Sequence, residues 1–122
     1  MKYLVVDDER LILKDEVRML HSVLGEDNEI FAVDNSEEAL EIAKRERPYV
    51  VFLDVNMPDV DGFELSKKIV HDSPESNIVF VTGYGEHGPE ISADVNASSV
   101  LLKPVTKIEI QDAMLRLRKP RI

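Results

Sequence analysis

Tyr49-Val50-Val51-Phe52-Leu53-Asp54 decides the fold. Its first five residues are apolar without interruption, so a strand formed here has no polar face to turn to water. Such a strand is buried on both sides, as in the centre of a parallel sheet. It stops abruptly at Asp54, a charged residue at the strand's carboxyl end.

Outward from this segment, strand-like and helix-like stretches alternate. Tyr3–Val6 is a short β-branched run ending at Asp7-Asp8. From Leu11 to Leu24, Leu13, Val17, Leu20 and Leu24 recur at helical spacing, and Gly25 stops the helix. Glu29–Val33 is a second strand, and Asn35 with Glu38 has the form of a capping box opening a helix to Glu46, before Pro48. After Asp54 a loop closes at Gly62, and Phe63 to Val70 reads as a helix with Leu65 and Ile69 on one side. Ile78–Val81 is the fourth strand, ending at Thr82-Gly83, and Val100–Leu102 is the fifth, ending at Lys103-Pro104. Thr106 is placed to cap a last helix carrying Ile110, Met114 and Leu117. Between Gly85 and Ala97 the periodicity is weakest and Gly88-Pro89 interrupts it. Five strand-then-helix units with short loops predict an α/β fold, a flavodoxin-like doubly wound five-stranded parallel sheet, (βα)5, in the order 2-1-3-4-5.

The 122 residues suit one domain, expected over 1–119, with 120–122 as a tail or the start of a linker. Apolar residues make up 43% of the chain, enough for a core despite 32% charged residues. The absence of cysteine excludes disulfides, thiolate metal sites and cysteine nucleophiles. No apolar run is long enough to cross a bilayer, and Asp7-Asp8 interrupts the N-terminal segment too soon for a signal peptide, so a cytoplasmic, membrane-free setting is expected. A net charge of −9 argues against direct nucleic-acid binding by this domain. Only Arg116, Arg118, Lys119 and Arg121 form a basic tail, expected to complement the dipole at the end of the last helix.

In an open parallel sheet, ligands bind beyond the carboxyl ends of the strands. Four of the five predicted strands end there in a chemically capable residue: Asp7 with Asp8, Asp54, Thr82 and Lys103. Taken singly, each is an ordinary turn or capping residue; together they share one sheet edge. Three carboxylates at close range require a proton or a cation between them. All-oxygen ligation without His or Cys favours a hard ion, Mg²⁺ above others, which accepts a partial protein shell completed by water and phosphate. Lys103 offers a fixed positive charge and Thr82 a hydroxyl to phosphoryl oxygens, leaving Asp54, alone at the end of the central strand, as the nucleophile.

Val5-Val6-Asp7-Asp8-Glu9, Phe52-Leu53-Asp54-Val55-Asn56-Met57-Pro58-Asp59 with Gly62, Val81-Thr82-Gly83 and Leu102-Lys103-Pro104 together resemble the response-regulator receiver family of two-component signalling, from Tyr3 to about Leu117. The resemblance implies that Asp54 accepts a phosphoryl group from a sensor histidine kinase. It implies that Asp7, Asp8, Asp54 and the backbone carbonyl of Asn56 organise Mg²⁺, and that Thr82 and Lys103 hold phosphoryl oxygens. It also implies a shape change read by a C-terminal effector domain or a separate output protein, a phosphorylation-dependent dimer as one output form, and a cis Lys103-Pro104 bond. On this reading the chain is a signalling module, with self-catalysed phosphotransfer and autodephosphorylation as its only chemistry. Two departures stand out. The family's switch aromatic is Val100 here, and the stretch between Thr82 and Lys103 is one residue short, so the fourth helix is expected to be short, displaced or loose. Val95-Asn96-Ala97 before Val100 is similar to receivers attached to LytTR-type DNA-binding domains.

Two other functions share parts of this pattern. A haloacid-dehalogenase-like phosphatase uses a strand-end Asp, a Thr or Ser, a Lys and Mg²⁺, but needs an acid two residues after the nucleophile, where this chain has Asn56. A pseudo-receiver binding module working without phosphorylation would not need the full acidic cluster with Lys103.

Overall fold

A computed structural model describes residues 1–83 and 97–120. The elements are β1 (Lys2–Val6), α1 (Arg10–Leu24), β2 (Glu29–Val33), α2 (Ser36–Glu46), β3 (Val50–Asp54), β4 (Asn56–Met57), β5 (Val60–Asp61), α3 (Gly62–Asp72), β6 (Asn77–Thr82), β7 (Ala97–Leu102) and α4 (Lys107–Leu115). The five long strands form one parallel sheet in the order β2-β1-β3-β6-β7, which is 2-1-3-4-5 when they are counted alone. The fold is the doubly wound one expected. The weak segment between Gly85 and Asn96, with the expected fourth helix, lies outside the described residues.

Every residue of β3 and of β6 is buried, as a strand apolar at each position requires. Alternate side chains feed two cores. Leu4, Val6, Val51, Leu53, Ile78 and Phe80 pack with Ala39 and Ala43 of α2 and Leu65 and Ile69 of α3. Tyr3, Val5, Val50, Phe52, Val79 and Val81 pack on the other face with Leu13 and Leu20 of α1 and Ile110 and Ala113 of α4. The period of two along each strand thus assigns the helices to faces.

Helix ends follow their caps. Asn35 accepts from the Glu38 N–H, and Thr106 forms the full reciprocal box with Glu109, worth about 1 kcal/mol at such positions. Gly25, at φ 98°, closes α1 with its N–H on the His21 carbonyl. Arg47 takes a left-handed conformation (φ 48°) at the end of α2, where its guanidinium bonds both Glu75 oxygens and the Asp72 carbonyl.

Some boundaries differ from the sequence reading. β7 starts at Ala97, three residues before the apolar run, because Ala97 and Ser99 pair with β6 without contributing a hydrophobic signal. The loop after Asp54 contains the small antiparallel pair β4–β5. The last helix ends at Leu115, so Leu117 reaches the core from beyond it. The basic tail therefore lies past the helix rather than in its last turn: Arg116 pairs with Asp112, and Arg118 and Lys119 are bound elsewhere.

Candidate functional site

Strand register builds the site. Val6 lies beside Leu53, so the next residues, Asp7 and Asp54, emerge together at the sheet's carboxyl edge. Asp54 lies beside Val81, one residue before Thr82. Thr82 lies beside Leu102, and the Lys103 N–H donates to the Thr82 carbonyl at 2.8 Å. The four strand-end positions singled out in the sequence meet at one place.

Asp7, Asp54 and Thr82 are buried, Asp8 is half-buried, and Lys103 reaches in from the rim. Lys103 Nζ sits 3.1 Å from Asp7 Oδ2 and 3.3 Å from Asp54 Oδ2. Asp54 Oδ1 accepts from the Asn56 N–H at 3.0 Å, and Asp7 Oδ1 from the Glu9 N–H at 2.9 Å. The Thr82 hydroxyl donates to the Gly83 carbonyl at 3.3 Å and lies 3.5 Å from Asn56 Nδ2, both long contacts that leave it easy to re-aim. The Lys103-Pro104 bond is cis.

Burial raises the Asp54 carboxyl pKa; the Asn56 N–H and Lys103 oppose this, and the Asp7 charge adds to it. Burial works against the Lys103 ammonium, but the Asp7 and Asp54 charges outweigh it and hold its pKa above the ordinary value. One oxygen from each of Asp7, Asp8 and Asp54 lies within 4.8 Å of the others. Three carboxylate oxygens at that spacing, with no softer donor among them, fit a hard divalent cation.

Glu16 is the member the sequence reading missed. It projects from α1 into the same groove of about 1000 Å3 as Asp54, Asn56 and Lys103, with Oε1 sealed from solvent. Burial first, then a hydrogen bond to Asp7 and the Asp7 charge, push it up to about 9 against the pull of Lys103. Burial and the neighbouring Asp7 carboxylate thus both favour the protonated form of Glu16. The available signal was a charged residue three positions after Leu13, on the inward side of an apolar helix stripe.

A stability prediction follows from Glu16. Between its ordinary 4.5 and about 9, the folded chain keeps a proton that the unfolded chain releases. Rising pH across that window therefore favours unfolding. In metal-free buffer the melting temperature is expected to fall with pH, with the raised Asp54 adding in the same sense, and Glu16→Gln should flatten the slope. Equal slopes for the two proteins would mean that Glu16 ionises normally.

A family model described as "Response regulator receiver domain" matches residues 3–115. The sensory transduction protein LytT of Oceanobacillus iheyensis is 31% identical over 121 residues, covering 95% of this chain and 47% of that protein, so the chain spans about half the length of this curated relative. The crystal structure of a response regulator receiver domain protein from Clostridium thermocellum superposes with a TM-score of 0.81 at 28% identity, covering 93% of this chain and 90% of that one. A receiver domain of a Pseudomonas aeruginosa sensor histidine kinase, with a magnesium ion coordinated in its active-site cleft, shares the fold at a TM-score of 0.80 and 22% identity, covering 94% of each chain.

Proposed function

Since the chain belongs to the response regulator receiver family of two-component signalling, we propose that Asp54 is its phosphoacceptor, charged by the phosphohistidine of a sensor histidine kinase. The observation that supports this most directly is the single ammonium of Lys103 bridging Asp7 and Asp54 beside the Thr82 hydroxyl. That arrangement prepares charge compensation around one oriented carboxylate.

Each residue has a task. The Asn56 N–H fixes Asp54 Oδ1 and so aims the carboxylate. An Asp54 oxygen forms the new bond to phosphorus as the bond from phosphorus to the imidazole nitrogen breaks. The leaving imidazole keeps that electron pair and takes its proton from solvent. Positioning and charge neutralisation supply most of the catalysis in such a transfer. Asp7, Asp8, Asp54 and the Asn56 carbonyl would hold Mg²⁺, which would supply positive charge against the acidic cluster and the incoming group. Lys103 then turns from its carboxylates to a phosphoryl oxygen, and Thr82 donates its hydroxyl to another.

Those new bonds drive the switch. Moving from mostly inactive to mostly active takes roughly 5 kcal/mol of differential stabilisation, and two or three charge-assisted hydrogen bonds at about 1.5–3 kcal/mol each reach that figure. Val100, half-buried against the core, has no ring to swing, so the readout travels by movement of β6 and β7 rather than an aromatic flip. The proposed setting is cytoplasmic. The output is a C-terminal effector domain or a separate protein, with dimerisation on phosphorylation as one form. The domain is proposed to run to residue 119, because Arg118 and Lys119 bond into it, with residues 120–122 as a tail or the start of a linker.

Mg²⁺ with beryllofluoride is expected to shift the NMR resonances of Asp54, Thr82 and Lys103, and beryllofluoride without Mg²⁺ is not. An unchanged spectrum would favour a binding module that works without phosphorylation.

A further inference from the structure

Asn77 is a buried amide at the start of β6, at the opposite end of that strand from Thr82. Its Nδ2 donates to the carbonyls of Tyr49 and Lys119, each at 3.2 Å. Its Oδ1 accepts from the N–H groups of Arg118 (3.1 Å) and Lys119 (2.8 Å) and from the Ser98 hydroxyl (3.3 Å). Three of these five bonds go to the two residues that follow the end of α4 by a few positions. Lys119 Nζ adds a bond to the Ser76 carbonyl at 2.9 Å. A sealed amide is costly unless its donors and acceptor are used. Tyr49 and Ser98 supply one partner to each end of this amide, and the tail supplies the other three.

The segment belongs to no helix or strand; Leu117 packs on the core, and the Asn77 amide and the Lys119 ammonium bond the residues that follow it. The Asn77 side chain also touches the residue before β3 and a residue of β7. At that point the β6–β7 register is irregular: Ile78 pairs with Ala97 and Val79 with Ser99, which leaves Ser98 as the extra residue bonded to Asn77. At their other ends β6 and β7 carry Thr82 and Lys103. Any shift of one strand against the other therefore disturbs an amide whose partners come from three separate pieces of chain.

We propose that Asn77 is a latch that holds the segment after α4 against the entry edge of the sheet, and that loading the site at Asp54 opens it through β6 and β7. The coupling to Asp54 rests on the phosphoacceptor reading; the latch itself does not.

Amide hydrogen exchange on the whole chain tests both parts. In the free protein the Arg118 and Lys119 amides should be protected, and Mg²⁺ with beryllofluoride should speed their exchange about tenfold or more. Asn77→Ala should give fast exchange at both amides without ligand, leaving β1 amides protected and Asp54 labelling by acetyl phosphate intact. Lys119→Pro, which removes the closest tail donor and keeps the buried amide, should release Arg118 in the same way if Asn77→Ala does not fold. Protection of Arg118 unchanged in both variants would overturn the latch. Resonances of Thr82 and Lys103 that shift while tail protection stays constant would overturn the coupling. If those resonances do not shift at all, the phosphoacceptor reading has failed, and the variants still decide the latch.

Discussion

Asp54→Asn is expected to take up no phosphoryl group from acetyl phosphate or from a histidine kinase, while folding as the wild type does. The amide keeps an oxygen for the Asn56 N–H, so the loop after β3 retains its anchor. It loses the anionic oxygen that would bond to phosphorus. The raised pKa of Asp54 means that its charged form is disfavoured by the fold, burial being the main cause. A neutral side chain removes that burden and takes one of two carboxylates from Lys103. The melting temperature in metal-free buffer should consequently stay level or rise. Intact-protein mass spectrometry after acetyl phosphate treatment reads the loss directly. Undiminished labelling of the variant would move the acceptor to another carboxylate and sink the assignment of Asp54.

Gly62→Ala should carry a large stability cost for a single added methyl group. A Cβ at this position would stand 2.7 Å from Val55 Cα, 2.9 Å from the Asp54 carbonyl oxygen and 3.0 Å from the Val55 carbonyl oxygen. All three are backbone atoms, so no side chain can turn aside, and relief requires the Asp54–Val55 peptide to move. Overpacking of this kind costs about 1–3 kcal/mol, and the upper part of that range is expected here. Urea denaturation measures it. Because the displaced peptide carries the acceptor, labelling at Asp54 should slow as well. A variant with wild-type stability and labelling would show that the loop gives way cheaply.

Much of the architecture was legible because it depends on local period and composition. The run from Tyr49 to Leu53 required burial on both faces, and β3 is buried throughout. The stripe of Leu13, Val17, Leu20 and Leu24 set the inward side of α1, and all four pack on the core. Strand-end chemistry was legible for a related reason. A polar residue that stops an apolar strand marks the carboxyl edge, and Asp7, Asp54, Thr82 and Lys103 all mark the same one. The start of β7 was not legible, since Ala97 and Ser99 join the sheet through backbone pairing, with Ser98 bulged between them, and their side chains give no pattern. The β4–β5 pair was missed because two-residue strands have no period to read.

The site divides along the same line. The sequence by itself determined a parallel α/β domain, the order of its parts, and an acidic edge with one Lys and one Thr suited to a phosphoryl group and a hard cation. Tertiary structure alone decided that Glu16 stands against Asp7, that Gly62 is needed for room beside Val55 rather than for a special backbone angle, and that Asn77 binds a tail 42 positions away. The physical reason is one of range. Periodicity and capping act within a few residues, so they are written locally, whereas these three contacts exist only once packing has brought distant segments within bonding distance.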